Sequence, residues 1–269
     1  MPSSSDSDAS ARLDLPTPVT AAADPIDAGL RALLSELGRT IAGWELQARP
    51  LGPELERCSG KLGAEPVTLH LASARGAGWE SFTLGALVDA RGALRSVTAC
   101  GLPERGRLRP IVGIDLVALG GRLSLIALDL SPLDDAFHAE HAAPLLRALR
   151  ERASGLVLRK LPDFAVHSFS SLALIAGAPP GCEQAGLDAA IALARGIACL
   201  PALDPETRAR TSAADARARS ASARNEGCRE AERRNRREAA ALARMFGDLL
   251  AERILFEALF PTAPSRLTA

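Results

Sequence analysis

The chain has 269 residues, enough to bury a substantial core, and 47% of them are hydrophobic. Its 32 basic residues balance 32 acidic ones, which argues against a generic nucleic-acid binder. The N-terminus, MPSSSDSDASARLDLPTP, lacks the apolar core of a signal peptide, and no apolar run is long enough to span a membrane.

Residues 1–25 are rich in Ser, Asp, Pro and Ala and read as a disordered tail. From Ile26 to Trp44 the residues Leu30, Leu33, Leu34, Leu37 and Ile41 recur at helical spacing, with Asp24 as N-cap and Pro25 at N1. Pro50, Gly52 and Pro53 break that pattern. Strands follow at Val67–Ser73, Glu80–Val88 and Leu94–Leu102, then a hairpin across Pro110–Pro132, then a strand at Ala165–Ala176. Short links between successive strands predict an antiparallel meander. His70 and His167 read as ordinary strand residues. His138 and His141 sit solvated near a helix start and lack a third metal ligand.

Helices are predicted over His138–Ala153, with Leu145, Leu146 and Leu149 on one stripe, and over Leu187–Leu200, which is apolar nearly all round. Asp204–Ala223 is Arg- and Ala-rich with little to bury, and reads as an exposed helix or loop. A helix from Arg229 carries the stripe Leu242, Met245, Phe246, Leu249, Leu250 and Ile254. Residues 262–269 form a second tail. The arrangement is an α+β fold: one domain over residues 26–261, a three-layer α/β/α sandwich around a mainly antiparallel sheet. Cys58, Cys100, Cys182, Cys199 and Cys228 are widely spaced and form no CxxC or Cys/His cluster, so neither zinc nor an iron–sulfur centre is indicated. Reduced thiols suit a cytoplasmic location.

The stretch PIVGIDLVALGGRLSLIALDLSP organises the rest. Two runs rich in Val, Ile and Leu flank Gly120-Gly121, a connection that tolerates positive φ. With Leu119 and Arg122 flanking the turn, Asp115 faces Ile126 and Asp129 faces Val112. Strand alternation then puts Asp115 and Ser124 on one surface and Asp129 on the other. Asp129, in DLSP, suits bonding to turn amides at the strand end. Asp115 is either structural or, facing a cavity, a carboxyl of raised pKa able to hand over a proton.

The order GIDLV, GGR, ALDLSP resembles the ferredoxin-dependent bilin reductases, and within them the phycocyanobilin:ferredoxin oxidoreductases. Arg159-Lys160-Leu161-Pro162-Asp163, Phe169-Ser170, Asn235, Met245-Phe246-Gly247 and Leu259-Phe260-Pro261 follow in the family's order, so the likeness spans Pro66 to Pro261. It implies a linear tetrapyrrole of the biliverdin type, seated between the sheet and the C-terminal helices. Reduced ferredoxin is the implied external electron donor, and no flavin, nicotinamide or metal is bound. Asp115 falls on the family's catalytic strand aspartate. Ser124, Arg159 and Arg237 fall where the family grips the bilin propionates. Counting back from Asp115 without gaps, two family histidines and a glutamate become Thr98, Leu84 and Ala86. The second catalytic aspartate becomes Arg236, beside Asn235. The resemblance therefore implies a substrate pocket of Ser124, Arg159, Asn235, Arg236, Arg237, Thr98 and Leu84 around Asp115, in a monomer that binds neither membrane nor nucleic acid.

Two other readings stand beside a reductase: a tetrapyrrole carrier that has lost most proton donors, and an interaction protein that uses its Arg-rich Arg208–Arg237 segment. The absence of Tyr weighs against the latter as an RNA binder.

Overall fold

The computed structural model describes residues 24–161, 165–166, 168–201 and 212–261. Both predicted tails apart from Asp24 and Pro25, His167, Pro162, Asp163 and the first part of the Arg-rich segment lie outside the described residues.

Helix α1 (Pro25–Gly43) starts as the sequence predicts, with the Asp24 carboxylate accepting from the Ile26 amide at 2.9 Å. Its stripe Leu30, Leu33, Leu34, Leu37 and Ile41 is fully buried, each side chain contributing about 2 kcal/mol of transfer free energy. Arg95 ties the helix start to the sheet through Asp27 and, at 2.7 Å, Asp24.

The strands are β1 (Gln47–Ala48), β2 (Arg57–Leu62), β3 (Glu65–Gly76), β4 (Trp79–Asp89), β5 (Leu94–Pro103), β6 (Ile111–Leu119), β7 (Arg122–Ser131), β8 (Val157–Leu158) and β9 (Leu174–Gly177). A short helix, α2 (Pro53–Glu56), precedes β2. Their order is β1-β3-β4-β5-β6-β7-β9-β8, with β2 also on β3, and every pairing among the described strands is antiparallel. The meander from β3 to β7 matches expectation. The strand predicted at Ala165–Ala176 shrinks to Leu174–Gly177, because Ser168, Ser170 and Ala173 form turns held by backbone bonds.

Helix α3 (Asp135–Phe137) runs through a π-helical turn, His138–Ala142, into α4 (Ala143–Arg152). With α1 and α5 (Glu183–Ala198), α4 covers one face of the sheet, where Leu84, Ala86, Val97, Ile114, Leu116, Ile126 and Leu128 join a single core. His138 is not simply solvated: its Nε2 pairs with the Ser170 hydroxyl at 3.1 Å.

The other face carries α6 (Ser212–Arg233), α7 (Arg236–Phe246), α8 (Asp248–Arg253) and a π-helical turn, Ile254–Leu259. The single terminal helix expected from Arg229 is thus broken twice. Asn235 ends one helix and caps the next, and Gly247, with φ of 81°, takes a left-handed conformation that separates α7 from α8. A second core of Leu69, Leu71, Leu87, Leu102, Ile254, Leu255 and Leu259 fills part of this face. The sandwich is therefore α/β/α, with its incompletely filled side under the C-terminal helices.

Candidate functional site

The β6–β7 hairpin does not keep one register. Near the turn, Leu119 pairs with Arg122 and Ala118 with Leu123, but Val117 then pairs with Leu125. Ser124 is the extra residue of a β-bulge, and its hydroxyl donates to the Val117 carbonyl at 3.0 Å. Beyond the bulge every partner shifts by one: Asp115 lies opposite Ala127, and Asp129 opposite Gly113. A one-residue shift exchanges the faces of a strand. Asp129 consequently shares a surface with Asp115, which corrects the alternation expected from an unbroken hairpin.

That surface floors a cavity of two adjoining lobes. The first, about 430 Å³, lies between β5–β7 and the inner sides of α6 and α7. The second, about 350 Å³, extends toward β2–β4 beneath α7. Each lobe is within the usual range for small-molecule pockets. Thr98, Asp115, Glu238, Ala241 and Leu259 border both. Gly113 opens the floor, since a Cβ placed there would meet nothing within 4 Å. Helix α7 lies above as an amphipathic helix whose residues all keep some exposed surface; Glu238 is enclosed by protein, and with Ala241, Leu242 and Met245 it opens onto the cavity.

Four carboxyls enter this space. Asp115, next to Thr98 across β5–β6, accepts the Thr98 hydroxyl at 2.9 Å. Enclosure in protein pushes its pKa up, against the lowering effect of that bond. Asp129 accepts from the Ser131 hydroxyl at 2.6 Å and the Ser170 amide at 3.1 Å, yet burial dominates and raises it to about 7. Burial also raises Glu232, whose Oε1 is buried without a hydrogen-bond partner among the described residues. Glu238 is pushed to about 8, first by burial and then by the charges of Asp115 and Glu232. The one arginine lining the first lobe, Arg229, is committed elsewhere. Its guanidinium grips Glu80 at 2.6 and 3.0 Å and also bonds Asn225 and the Pro261 carbonyl. The described residues hold no cluster of three or more metal-ligating side chains.

Glu238 escapes a reading that looks for an aspartate beside Asn235. Asn235 instead caps α7 and holds Glu238: the Glu238 amide donates to Asn235 Oδ1, and Asn235 Nδ2 donates to Glu238 Oε2, both at 3.4 Å. The sequence carried that signal, Asn followed three residues later by Glu.

The remaining predicted residues separate into groups. Asp115, Thr98 and Asn235 line the cavity together. Leu84 does not: it is fully buried in the core on the α1–α5 face, as is Ala86. The β4 residue paired with Thr98 is Gly85, so the gapless count is one position out of phase. Arg236 and Arg237 are exposed in the first turn of α7 and do not line the cavity. Ser124 and Arg159 do meet, in a separate shallow groove with Arg122, Val157 and Gly177 beyond the hairpin's bulge. The Arg159 guanidinium lies over Gly177, where an added Cβ would come within 2.7 Å of it.

No protein-family model matches the chain, and no curated protein matches it. The fold is nonetheless similar to solved structures. One is a phytochromobilin synthase from tomato in complex with biliverdin, with a TM-score of 0.62 and 15% identity over 86% of this chain and 82% of that one. At that identity the likeness is one of fold.

Proposed function

We propose that the protein reduces a linear tetrapyrrole of the biliverdin type, with reduced ferredoxin supplying single electrons and the cavity's carboxyls supplying protons. One observation carries this reading. The elongated two-lobed cavity has largely apolar walls, and four carboxyls enter it, each with its pKa pushed up by burial. Such a lining suits a long, largely apolar ligand that offers N–H groups and takes up protons. Glu232 Oε1 has no donor among the described residues, and a pyrrole N–H is one. The fold shared with a biliverdin-bound phytochromobilin synthase and the ordered motifs around GIDLV and DLSP support the same ligand class.

In this reading the protein positions the pigment and delivers protons, and needs no bound cofactor. Asp115 donates to the bilin, and Thr98 holds its carboxyl toward the ligand. Exposed arginines attract an acidic ferredoxin. The reaction takes place in one chain, without membrane or nucleic acid. Among the described residues no helix is long and apolar enough to cross a membrane. A second reading, a non-catalytic tetrapyrrole carrier, is favoured by Thr98, which stands where a family histidine is expected and has no proton to exchange near neutral pH.

An absorbance titration with biliverdin, followed by anaerobic addition of reduced ferredoxin, separates the two. The reductase gives a bound spectrum that converts to new bilin products, and Asp115→Asn keeps binding within a few-fold while losing about 100-fold or more in turnover. A bound spectrum that never changes makes the protein a carrier. The absence of binding rejects both.

A further inference from the structure

We propose that Glu238 is the second acid of this site, a proton donor on the α7 wall that acts across the cavity from Asp115 on the β6 floor. The inference rests on the reductase reading and names a residue that reading does not supply. It begins from the shape of the cavity. Asp115 and Glu238 are the two acids that border both lobes, so a ligand spanning the lobes passes between them. They come from opposite walls, one from the sheet and one from the helix above it. A flat conjugated ligand lying between those walls presents one face to each.

The other acids are placed differently. Asp129 is held by the Ser131 hydroxyl and the Ser170 amide, and it borders only the first lobe. Glu232 likewise touches the first lobe alone. Glu238 is oriented by the Asn235 capping contacts, so its carboxyl is fixed on a helix end rather than carried on a loose loop.

The charged surroundings keep Glu238 protonated. From the sheet it faces Asp115 and Asp129, and from α6 it faces Glu232. Arg229, which lines the first lobe, is neutralised by Glu80. The thiols of Cys100 and Cys228 are driven upward by burial and stay neutral. Arg244, on the same helix, is exposed at the rim of the second lobe. Burial, and after it the neighbouring carboxyls of Asp115 and Glu232, push Glu238 up to about 8, so it holds its proton at neutral pH.

The step balances with the reductant already named. Reducing one carbon–carbon double bond takes two electrons and two protons. Two reduced ferredoxins each give one electron and leave oxidised. Asp115 gives one proton and Glu238 the other, two C–H bonds form as the π bond is lost, and both carboxylates reload from water.

The test compares wild type with Glu238→Gln and Glu238→Asp; the Gln amide oxygen still accepts from Asn235 Nδ2. With biliverdin and reduced ferredoxin, Glu238→Gln is expected to lower kcat about 100-fold, leave the biliverdin Kd within about threefold, and remove the alkaline limb near pH 8, while Glu238→Asp recovers part of the rate. Wild-type kcat and an unchanged pH profile in Glu238→Gln would overturn the proposal. Infrared titration of the ligand-free proteins keeps this separate from the reductase reading. Wild type should show a protonated carboxyl that ionises near pH 8 and disappears in Glu238→Gln. If it persists in the variant, Glu238 is not the proton store, whether or not the protein reduces bilin.

Discussion

Asp115 on β6 and Asp129 on β7 project into the same cavity because one unpaired residue, Ser124, separates two registers within their hairpin. Without it the strands would still pair, but Asp129 would point into the α1–α5 core among leucines. The bulge converts a buried carboxyl that would lack partners into one anchored by Ser131 and Ser170.

Asp129 should leave a signature in the pH dependence of stability. Its native pKa, about 7, exceeds the model-compound value of 3.8. Between those limits the native state holds a proton that the unfolded chain releases, so this group makes stability fall as pH rises through the interval and contributes a constant penalty above it. Asp129→Asn removes the titration. Urea midpoints measured against pH should decline less steeply in the variant than in wild type, and parallel curves would show that Asp129 is ionised throughout.

Gly113 gives a test of occupancy that leaves the acids untouched. Its would-be Cβ meets nothing within 4 Å, so Gly113→Phe has room for its Cβ and directs its ring into the cavity beside Asp129. Phe also suits a strand better than Gly. The variant is expected to melt at or above the wild-type temperature while biliverdin affinity falls at least about tenfold, or about 1.4 kcal/mol. Spectrophotometric titration decides it: unchanged affinity means the pigment does not lie over β6.

The meander and the start of α1 were legible because their signals are local: short turns between strands, and Asp24-Pro25 ahead of a regular apolar stripe. The bulge was not, because the unbroken apolar run Leu125–Leu128 hides the point at which the polar phase changes, from Arg122 and Ser124 to Asp129 and Ser131. The same weakness misplaced Leu84, since β4 is buried on both faces and offers no parity from which to count. Asp115 was legible from its setting alone, a carboxylate in a Val- and Leu-rich strand. Glu238 was hidden by its neighbours: Arg236, Arg237 and Glu238 look like a solvated charged face until Asn235 is recognised as a cap that turns Glu238 inward.

Arg229 should prove the anchor of the cavity's α6 wall. It is 2% exposed, and its donors satisfy Glu80, Asn225 and the Pro261 carbonyl at once. Truncating one member of such a buried pair leaves the other charge uncompensated, so Arg229→Ala is expected to cost about 3 kcal/mol in urea unfolding. Replacing both charges with Arg229→Met and Glu80→Met should recover most of that loss. A double variant no better than the single would mean that packing, rather than charge, is what Arg229 supplies.

The groove shared by Ser124 and Arg159 predicts an asymmetry between two arginines that the family resemblance treats alike. Arg159 lies over Gly177 beside Ser124, on the strand that lines the first lobe through Leu125 and Ala127. Arg237 is exposed on α7 and borders neither lobe nor groove. If a bilin propionate reaches beyond the cavity into that groove, Arg159 is a guanidinium it meets there. Arg159→Ala should then weaken biliverdin binding by about 2 kcal/mol, the scale of a charge-assisted hydrogen bond, and Arg237→Ala should change it less than twofold. A biliverdin dimethyl ester should remove the difference between wild type and Arg159→Ala, because it presents no carboxylate. Equal losses from the two substitutions would instead place α7 closer to the bound pigment than in the ligand-free arrangement.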